Sequence, residues 1–221
     1  MESIKENVKR ILAEIPEGVV LVAATKGRSI EEINEAIDSG IKVIGENYVQ
    51  EAEEKFKEIG KSVQWHFIGH LQRNKVKKAL DIFDCIETLD NINLAKEIDK
   101  YAGKKGIIFP VLIEVNSARE PQKSGILPEE VERFISEISE LKNIKVEGLM
   151  TMGPMVEKPE DIRPYFCLTK TIFYKLKEKK FPNVEMKYLS MGMSGTWKIA
   201  IKEGANIIRI GSAIFGQRRK L

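Results

Sequence analysis

Val-Val-Leu-Val-Ala-Ala-Thr-Lys-Gly-Arg, residues Val19–Arg28, is the stretch from which the fold can be read. Six consecutive apolar residues, Val19 to Ala24, run directly into Thr25, Lys26 and Gly27. A run so short and so rich in valine predicts a strand buried on both faces, as in a parallel sheet. A lysine at the carboxyl end of such a strand lies where α/β folds keep their chemistry. Lys26 is therefore the first candidate functional residue, although a lysine after a strand is more often simply solvated.

Working outward, Glu2–Ile15 places Ile4, Val8, Ile11, Leu12 and Ile15 at helical spacing, and Pro16 and Gly18 close that helix. Downstream a strand–helix rhythm begins. Ser29 reads as the cap of a helix with Glu31 and Glu32 in its first turn, ending at Ser39-Gly40. Ile41–Ile44 is a second strand, and Tyr48–Ile59 a charged helix stopped by Gly60. Val63–Ile68 is a third strand, leading through Gly69–Lys75 into a short helix. Asp81–Glu87 carries the fourth strand and Asn91–Tyr101 its helix. Ile107–Val115 is the fifth, followed by a helix over Glu129–Leu141 with Pro128 at its start. Lys145–Leu149 is the sixth, and Glu160–Lys179 a long helix that Pro164 could bend. Val184–Leu189, a helix over Ser194–Glu203, and the eighth strand Asn206–Ile210 complete the series. Eight such units behind one extra helix predict an α/β fold, a single (β/α)8 TIM barrel over residues 1–221. An open doubly wound sheet fits less well, because no glycine fingerprint follows the first strand and no composition break divides the chain.

The bulk numbers agree. With 43% apolar and 31% charged residues, the composition is that of a soluble globular domain. The 36 Lys+Arg stand against 33 Asp+Glu, a net charge of +3 that is too balanced to predict a nucleic-acid partner. Cys85 and Cys167 show no metal spacing and read as free thiols in a reducing compartment. The charged amino terminus has no signal-peptide core, and no apolar run approaches the roughly 20 residues that span a bilayer. These features predict a cytoplasmic protein with no membrane partner, and the lack of a heptad or large apolar stripe predicts a monomer.

In a barrel of this kind phosphates favour the loops after strands seven and eight. Here those loops are Ser190-Met191-Gly192-Met193-Ser194 and Gly211-Ser212-Ala213-Ile214-Phe215-Gly216. Small residues let backbone N–H groups approach an anion, hydroxyls add donors, and a helix starting at Ser194 would add its dipole. Turn and capping chemistry alone would account for either loop. Arg209 interrupts the apolar eighth strand and needs a partner there, either a carboxylate such as Glu114 or Glu87 or a ligand in the barrel mouth. Lysine suits Schiff-base chemistry when its surroundings lower its pKa. His66 and His70 are the two histidines; His66, within a strand, reads as a packing residue, while His70 could approach a ligand. No Ser-His-Asp arrangement or metal-ligand spacing is present, and Met150, Met152, Met155, Met191 and Met193 read as flexible filling.

Taken together, Ala24-Thr25-Lys26, Gly45-Glu46-Asn47-Tyr48-Val49-Gln50-Glu51, Trp65 to Lys75, Gly148 to Met152, Leu189 to Ser194 and Arg209 to Gly216 span nearly the whole chain. In this order they resemble the pyridoxal phosphate homeostasis protein family, which is related to the alanine racemase barrel. The resemblance implies a single barrel holding pyridoxal 5′-phosphate (PLP) as a Schiff base on Lys26. It places the phosphate on Ser194 and on Gly211 and Ser212, with help from the Ser190–Met193 loop and hence Met191. Asn47 would line the pocket, and Arg209 would face the pyridine nitrogen. A cation there disfavours the pyridinium form and weakens the ring as an electron sink. One departure stands out: family members commonly follow Met-Gly-Met-Ser with an acidic residue, where this chain has Gly195-Thr196-Trp197-Lys198.

The function implied is non-catalytic PLP binding in cofactor homeostasis, with PLP-dependent apo-enzymes as candidate recipients. A PLP-dependent racemase is the alternative. Related racemases complete their sites with a second, mostly β domain, whereas the sequence ends at Leu221, about where the barrel is expected to close. A sugar-phosphate barrel enzyme would explain the phosphate loops but not Lys26.

Overall fold

Eight parallel strands close in chain order into a barrel in a computed structural model that describes residues 3–217. They are β1 (Val20–Ala24), β2 (Val43–Glu46), β3 (Gln64–Phe67), β4 (Cys85–Leu89), β5 (Phe109–Glu114), β6 (Ile144–Met150), β7 (Val184–Ser190) and β8 (Ile207–Ile210). Helix α1 (Ile4–Glu14) precedes the barrel. The strands are followed in turn by α2 (Ile30–Asp38), α3 (Val49–Ile59), α4 (Val76–Ile82), α5 (Ile92–Lys105), α6 (Val131–Ile138), α7 (Arg163–Lys177), α8 (Trp197–Lys202) and α9 (Ser212–Phe215). Met1, Glu2 and residues 218–221, which fall within the predicted domain and, for Glu2, the predicted first helix, lie outside the described residues.

Local chemistry explains the helix starts. Ser3 and Ser29 each accept a hydrogen bond from the third helical N–H, while Glu6 and Glu32 reach back to the cap N–H. Such reciprocal caps satisfy donors that would otherwise be orphaned. The apolar faces of the helices then pack on the outside of the barrel, where Ile11, Ile33, Trp65, Phe67, Leu94 and Phe166 are fully buried. Burying one side chain of this size contributes about 1.5–3 kcal/mol. Inside, Val22, Val43, Cys85, Leu112, Met150 and Ile207 form a separate apolar layer. Side chains alternate along a strand, so the next lumen positions toward the carboxyl ends are Glu87, Glu114, Ser190 and Arg209. The inside of the barrel thus changes from apolar to polar within one residue pair.

Several element boundaries differ from the sequence-based expectation. Ile82 ends α4, whose buried face includes Leu80, and Phe83 closes it by donating to the Ala79 carbonyl, so the fourth strand begins only at Cys85. Ile107 and Ile108 are exposed residues after the α5 cap, and they delay β5 to Phe109. The sixth helix is shorter than expected at both ends. Pro164 stands in the first turn of α7, behind a 3₁₀ turn over Pro159–Ile162, so it opens the helix instead of bending it. Helix α8 starts at Trp197, not Ser194: the Thr196 hydroxyl accepts from the Met193 N–H at 3.1 Å, and the buried Trp197 begins the helix. The dipole expected at Ser194 is therefore displaced by three residues.

One backbone position fixes how β6 meets β7. Their register shifts between Val146, opposite Val184, and Gly148, opposite Tyr188. Gly148 has φ +153°, and a Cβ there would overlap the Tyr188 carbonyl oxygen. Gly148→Ala is expected to lower unfolding stability by about 2–4 kcal/mol in urea titrations; a loss below about 1 kcal/mol would show that the two strands can separate at that point without penalty.

Candidate functional site

Lys26 stands two residues beyond β1, in a turn whose neighbours fix it. The Arg28 N–H donates to the Thr25 carbonyl at 3.0 Å. Gly27 has φ +68°, the conformation required at the third position of a type II turn. The Lys26 Nζ donates to the Tyr48 hydroxyl at 3.1 Å and lies 4.6 Å from that ring's centroid. Arg28 carries the turn across to the end of the barrel, its guanidinium donating to the Phe215 carbonyl at 2.9 Å and to the Gly216 carbonyl.

The barrel's closing pair brings the second half of the site alongside. Ala23 of β1 lies opposite Ile210 of β8, so Gly211 and Ser212 follow beside the Lys26 turn. Gly211 is close enough to Ala24 that a Cβ would lie 3.4 Å from its carbonyl oxygen. The Ser194 hydroxyl accepts from the Ala213 N–H at 3.2 Å, which joins the exit loop of β7 to the same cradle. Small residues and hydroxyls here leave room for an anion to approach backbone N–H groups.

Below the cradle lies a buried polar network. Arg209 is 4% exposed. Its Nη2 donates to the Thr151 carbonyl at 2.9 Å, its Nη1 donates to the Ser190 hydroxyl, and the Glu87 Oε2 is 3.7 Å away. Ser190 donates in turn to Glu87 Oε2 at 2.6 Å, and Glu87 Oε1 is 2.6 Å from His66 Nδ1. Burial alone would push the Glu87 carboxyl up. The hydrogen bond and charge of His66, with Arg209 and Ser190, outweigh it and hold Glu87 below its ordinary value. Burial draws Arg209 down from its ordinary value, opposed by Glu87 and Glu114. A buried guanidinium needs such a set of partners. Of the two carboxylates anticipated for it, Glu87 is the one at ion-pair distance.

The remaining candidates fall around this axis. The Asn47 amide donates to the Ile68 carbonyl at 3.4 Å at the edge of a cavity of about 230 Å³. That cavity is offset from Lys26 toward the ends of β3, β5 and β6 and is also lined by His70, Glu114, Ser117 and Lys123. Met191 is fully buried in the apolar layer around the barrel, with its N–H on the Ile207 carbonyl at 3.1 Å. His66 is satisfied within the lumen, and His70 stands at the rim with 59% of its side chain exposed. A wider hollow, about 570 Å³, lies at the opposite, amino-terminal face. Lys61, on its wall, is already paired with Asp84 at 2.8 Å. Sequence reading missed Tyr48, Thr151 and the ion cluster of Glu46, Glu51 and Lys55 beneath the Lys26 turn. Tyr48, Glu46 and Glu51 do fall inside the Gly45–Glu51 stretch, but nothing local marks them as neighbours of Lys26.

Comparison with known proteins agrees with the barrel fold. The family model for the alanine racemase N-terminal domain matches residues 1–219. A pyridoxal phosphate homeostasis protein of Aquifex aeolicus is 44% identical over 200 residues, covering 90% of this chain and 87% of that protein. Its namesake in Escherichia coli is 35% identical over 208 residues, covering 92% and 87%. Among solved structures, PipY of Synechococcus elongatus with PLP bound matches at a TM-score of 0.89 and 31% identity, covering 97% of this chain and 100% of that one. Alanine racemase of Clostridium difficile matches at 0.80 with 16% identity, over 99% of this chain and 56% of its own, a likeness of fold alone. The barrel is thus of the alanine racemase N-terminal class. Within it, the chain belongs to the pyridoxal phosphate homeostasis protein family.

Glu114, at the end of β5, is half-buried; its main-chain carbonyl accepts from the Ile126 N–H, while its carboxylate makes no hydrogen bond or ion pair among the described residues. Burial, and secondarily the charge of Asp90, push its pKa up to about 7 against the pull of Arg209. Because the folded value exceeds the unfolded one, stability falls as pH rises from the ordinary carboxylate range through about 7. Glu114→Gln removes this fall. The variant should gain on the parent by about 3 kcal/mol at most between acidic and mildly alkaline pH; parallel stability–pH curves would contradict the assignment.

Proposed function

We propose that this chain holds PLP in the barrel mouth as a Schiff base on Lys26 and serves intracellular PLP homeostasis without turnover of its own. The observation that carries this reading is the placement of Lys26 beside Gly211 and Ser212 by the pairing of β1 with β8. An amine beside a small-residue, hydroxyl-bearing cradle suits a compact ligand with an aldehyde at one end and a phosphate at the other. When bound, PLP supplies a reactive aldehyde and a ring that can withdraw electrons. The Lys26 amine takes the aldehyde end, oriented by the Tyr48 hydroxyl. Ser194, Gly211 and Ser212, with the main chain of the Met191 loop, would hold the phosphate, and Asn47 would line the pocket.

Arg209 would face the pyridine nitrogen in this arrangement. It is a donor fixed by Thr151, Ser190 and Glu87, so it opposes a proton on the ring nitrogen where a carboxylate would favour one. Ring-assisted carbanion chemistry is weakened accordingly, which supports a carrier over a racemase. The names of the relatives support the same choice. We read residues 1–221 as one domain, monomeric and cytoplasmic, with PLP-dependent apo-enzymes as recipients. Among the described residues no helix is long and apolar enough to cross a membrane, and both cysteines are free thiols.

Titration with PLP, followed by absorbance at about 420 nm, tests the proposal. The parent should develop the band and Lys26→Ala should not. Ser194→Ala combined with Ser212→Ala should weaken PLP binding by about 10–100-fold. Racemisation of amino acids should stay far below the roughly 1–1000 per second of ordinary enzymes. A band of parental strength in Lys26→Ala, or enzyme-like racemisation by the parent, would overturn the reading.

A further inference from the structure

Beneath the Lys26 turn lies a buried cluster of charge that neither the lumen network nor the phosphate cradle uses. Lys55, on α3, is 6% exposed, and Glu46 and Thr25 are fully buried. The Lys55 ammonium donates to three acceptors: Glu46 Oε1 at 2.6 Å, Glu51 Oε1 at 2.7 Å and the Thr25 carbonyl at 2.7 Å. An ammonium has three protons, so this lysine is fully committed. The Thr25 hydroxyl donates to the same Glu46 oxygen at 2.6 Å, and the Gly27 N–H donates to Glu51 Oε1 at 2.5 Å.

These bonds converge on one residue. The Thr25 carbonyl belongs to the peptide group preceding Lys26, and the Gly27 N–H to the one following it. From α3, Lys55 holds the first, alongside the Arg28 N–H of the turn, and Glu51, itself tied to Lys55, holds the second. Tyr48, which receives the Lys26 Nζ, stands immediately before α3, the helix that carries Glu51 and Lys55. Helix α3 therefore grips the backbone on both sides of Lys26 as well as its side-chain tip. Glu46 supports the grip from the end of β2, with its second oxygen buried and unpartnered.

A buried ion cluster is poor evidence for stability as such, since desolvation offsets much of the attraction. Its worth lies in geometry. An amine that must meet an aldehyde in one orientation reacts faster when its backbone is already fixed. We infer that Glu51 and Lys55 are positioning residues for Lys26, presetting the turn from which it reaches the cofactor. The inference rests on the PLP-binding reading above.

Stopped-flow mixing of the folded protein with PLP measures the rate and affinity of band formation at about 420 nm, and its pH profile. Glu51→Ala releases the Gly27 N–H from a partly exposed site and leaves the helix intact; Lys55→Met leaves the Thr25 carbonyl held by the Arg28 N–H of the turn itself and no longer by α3. Each should slow band formation and weaken PLP binding about 10-fold, and shift the pH at which the band is half formed. Circular dichroism of the PLP-free variants checks the fold, and Glu51→Ala keeps the test valid if Lys55→Met does not fold. Folded Glu51→Ala with parental rate, affinity and pH profile would overturn the inference while leaving PLP binding in place. A parent that forms no band would overturn the PLP reading itself, and the positioning role with it.

Discussion

Val20 lies opposite Ile207 and Ala23 opposite Ile210, so the first strand of the chain and the last hydrogen-bond to each other and close the barrel. Every other feature of the site depends on that closure. It brings a lysine near the amino terminus beside a Gly-Ser pair almost two hundred residues later. Arg28 reinforces the same seam from above by donating to the Phe215 and Gly216 carbonyls. A sheet that stayed open would leave the lysine and the small-residue cradle at opposite edges. Barrel closure also removes the unpaired strand edges that an open sheet must protect.

Beneath that seam the lumen separates two tasks. Its lower layer is apolar and holds the barrel together, while the next layer is built around Arg209. A guanidinium is tolerated there because Thr151, Ser190 and Glu87 surround it, with His66 completing the set. Thr151, Ser190 and Glu87 also hold the cation in place beneath the barrel mouth. Lys26 is gripped from α3, whereas Arg209 is gripped from the strands. The two groups proposed to address opposite ends of a bound ring are thus set by different parts of the fold, an arrangement that suits the proposed tether better than a site that must reorganise during turnover.

The barrel was legible in the sequence because its strands are buried on both faces and read as short apolar runs between helices. Their ends were less legible where apolar residues serve a neighbouring helix, as Leu80 and Ile82 do in α4. Ser194 looked like a helix cap, yet its hydroxyl accepts from Ala213, a residue nineteen positions on; only the closed barrel brings the two together. Lys26 and Arg209 stood out as charges at or within apolar runs, and the family's motifs picked out the serines and glycines around them. Lys55 did not stand out, because a lysine on a charged helix looks solvated until Glu46 and the Thr25 carbonyl are seen to enclose it. Glu114 and Glu87 are equivalent candidates for Arg209 in the sequence, and no local pattern shows that Glu87 is the one at ion-pair distance.

The central claim is that one lysine, fixed at the seam of the barrel, carries the cofactor. Reduction of the PLP-treated protein with borohydride, followed by peptide mass mapping, reads this directly, because reduction converts a Schiff base into a stable amine. The account predicts a single pyridoxyl group, on the peptide containing Lys26. A label on a different lysine, or no label on a protein that binds PLP, would contradict it.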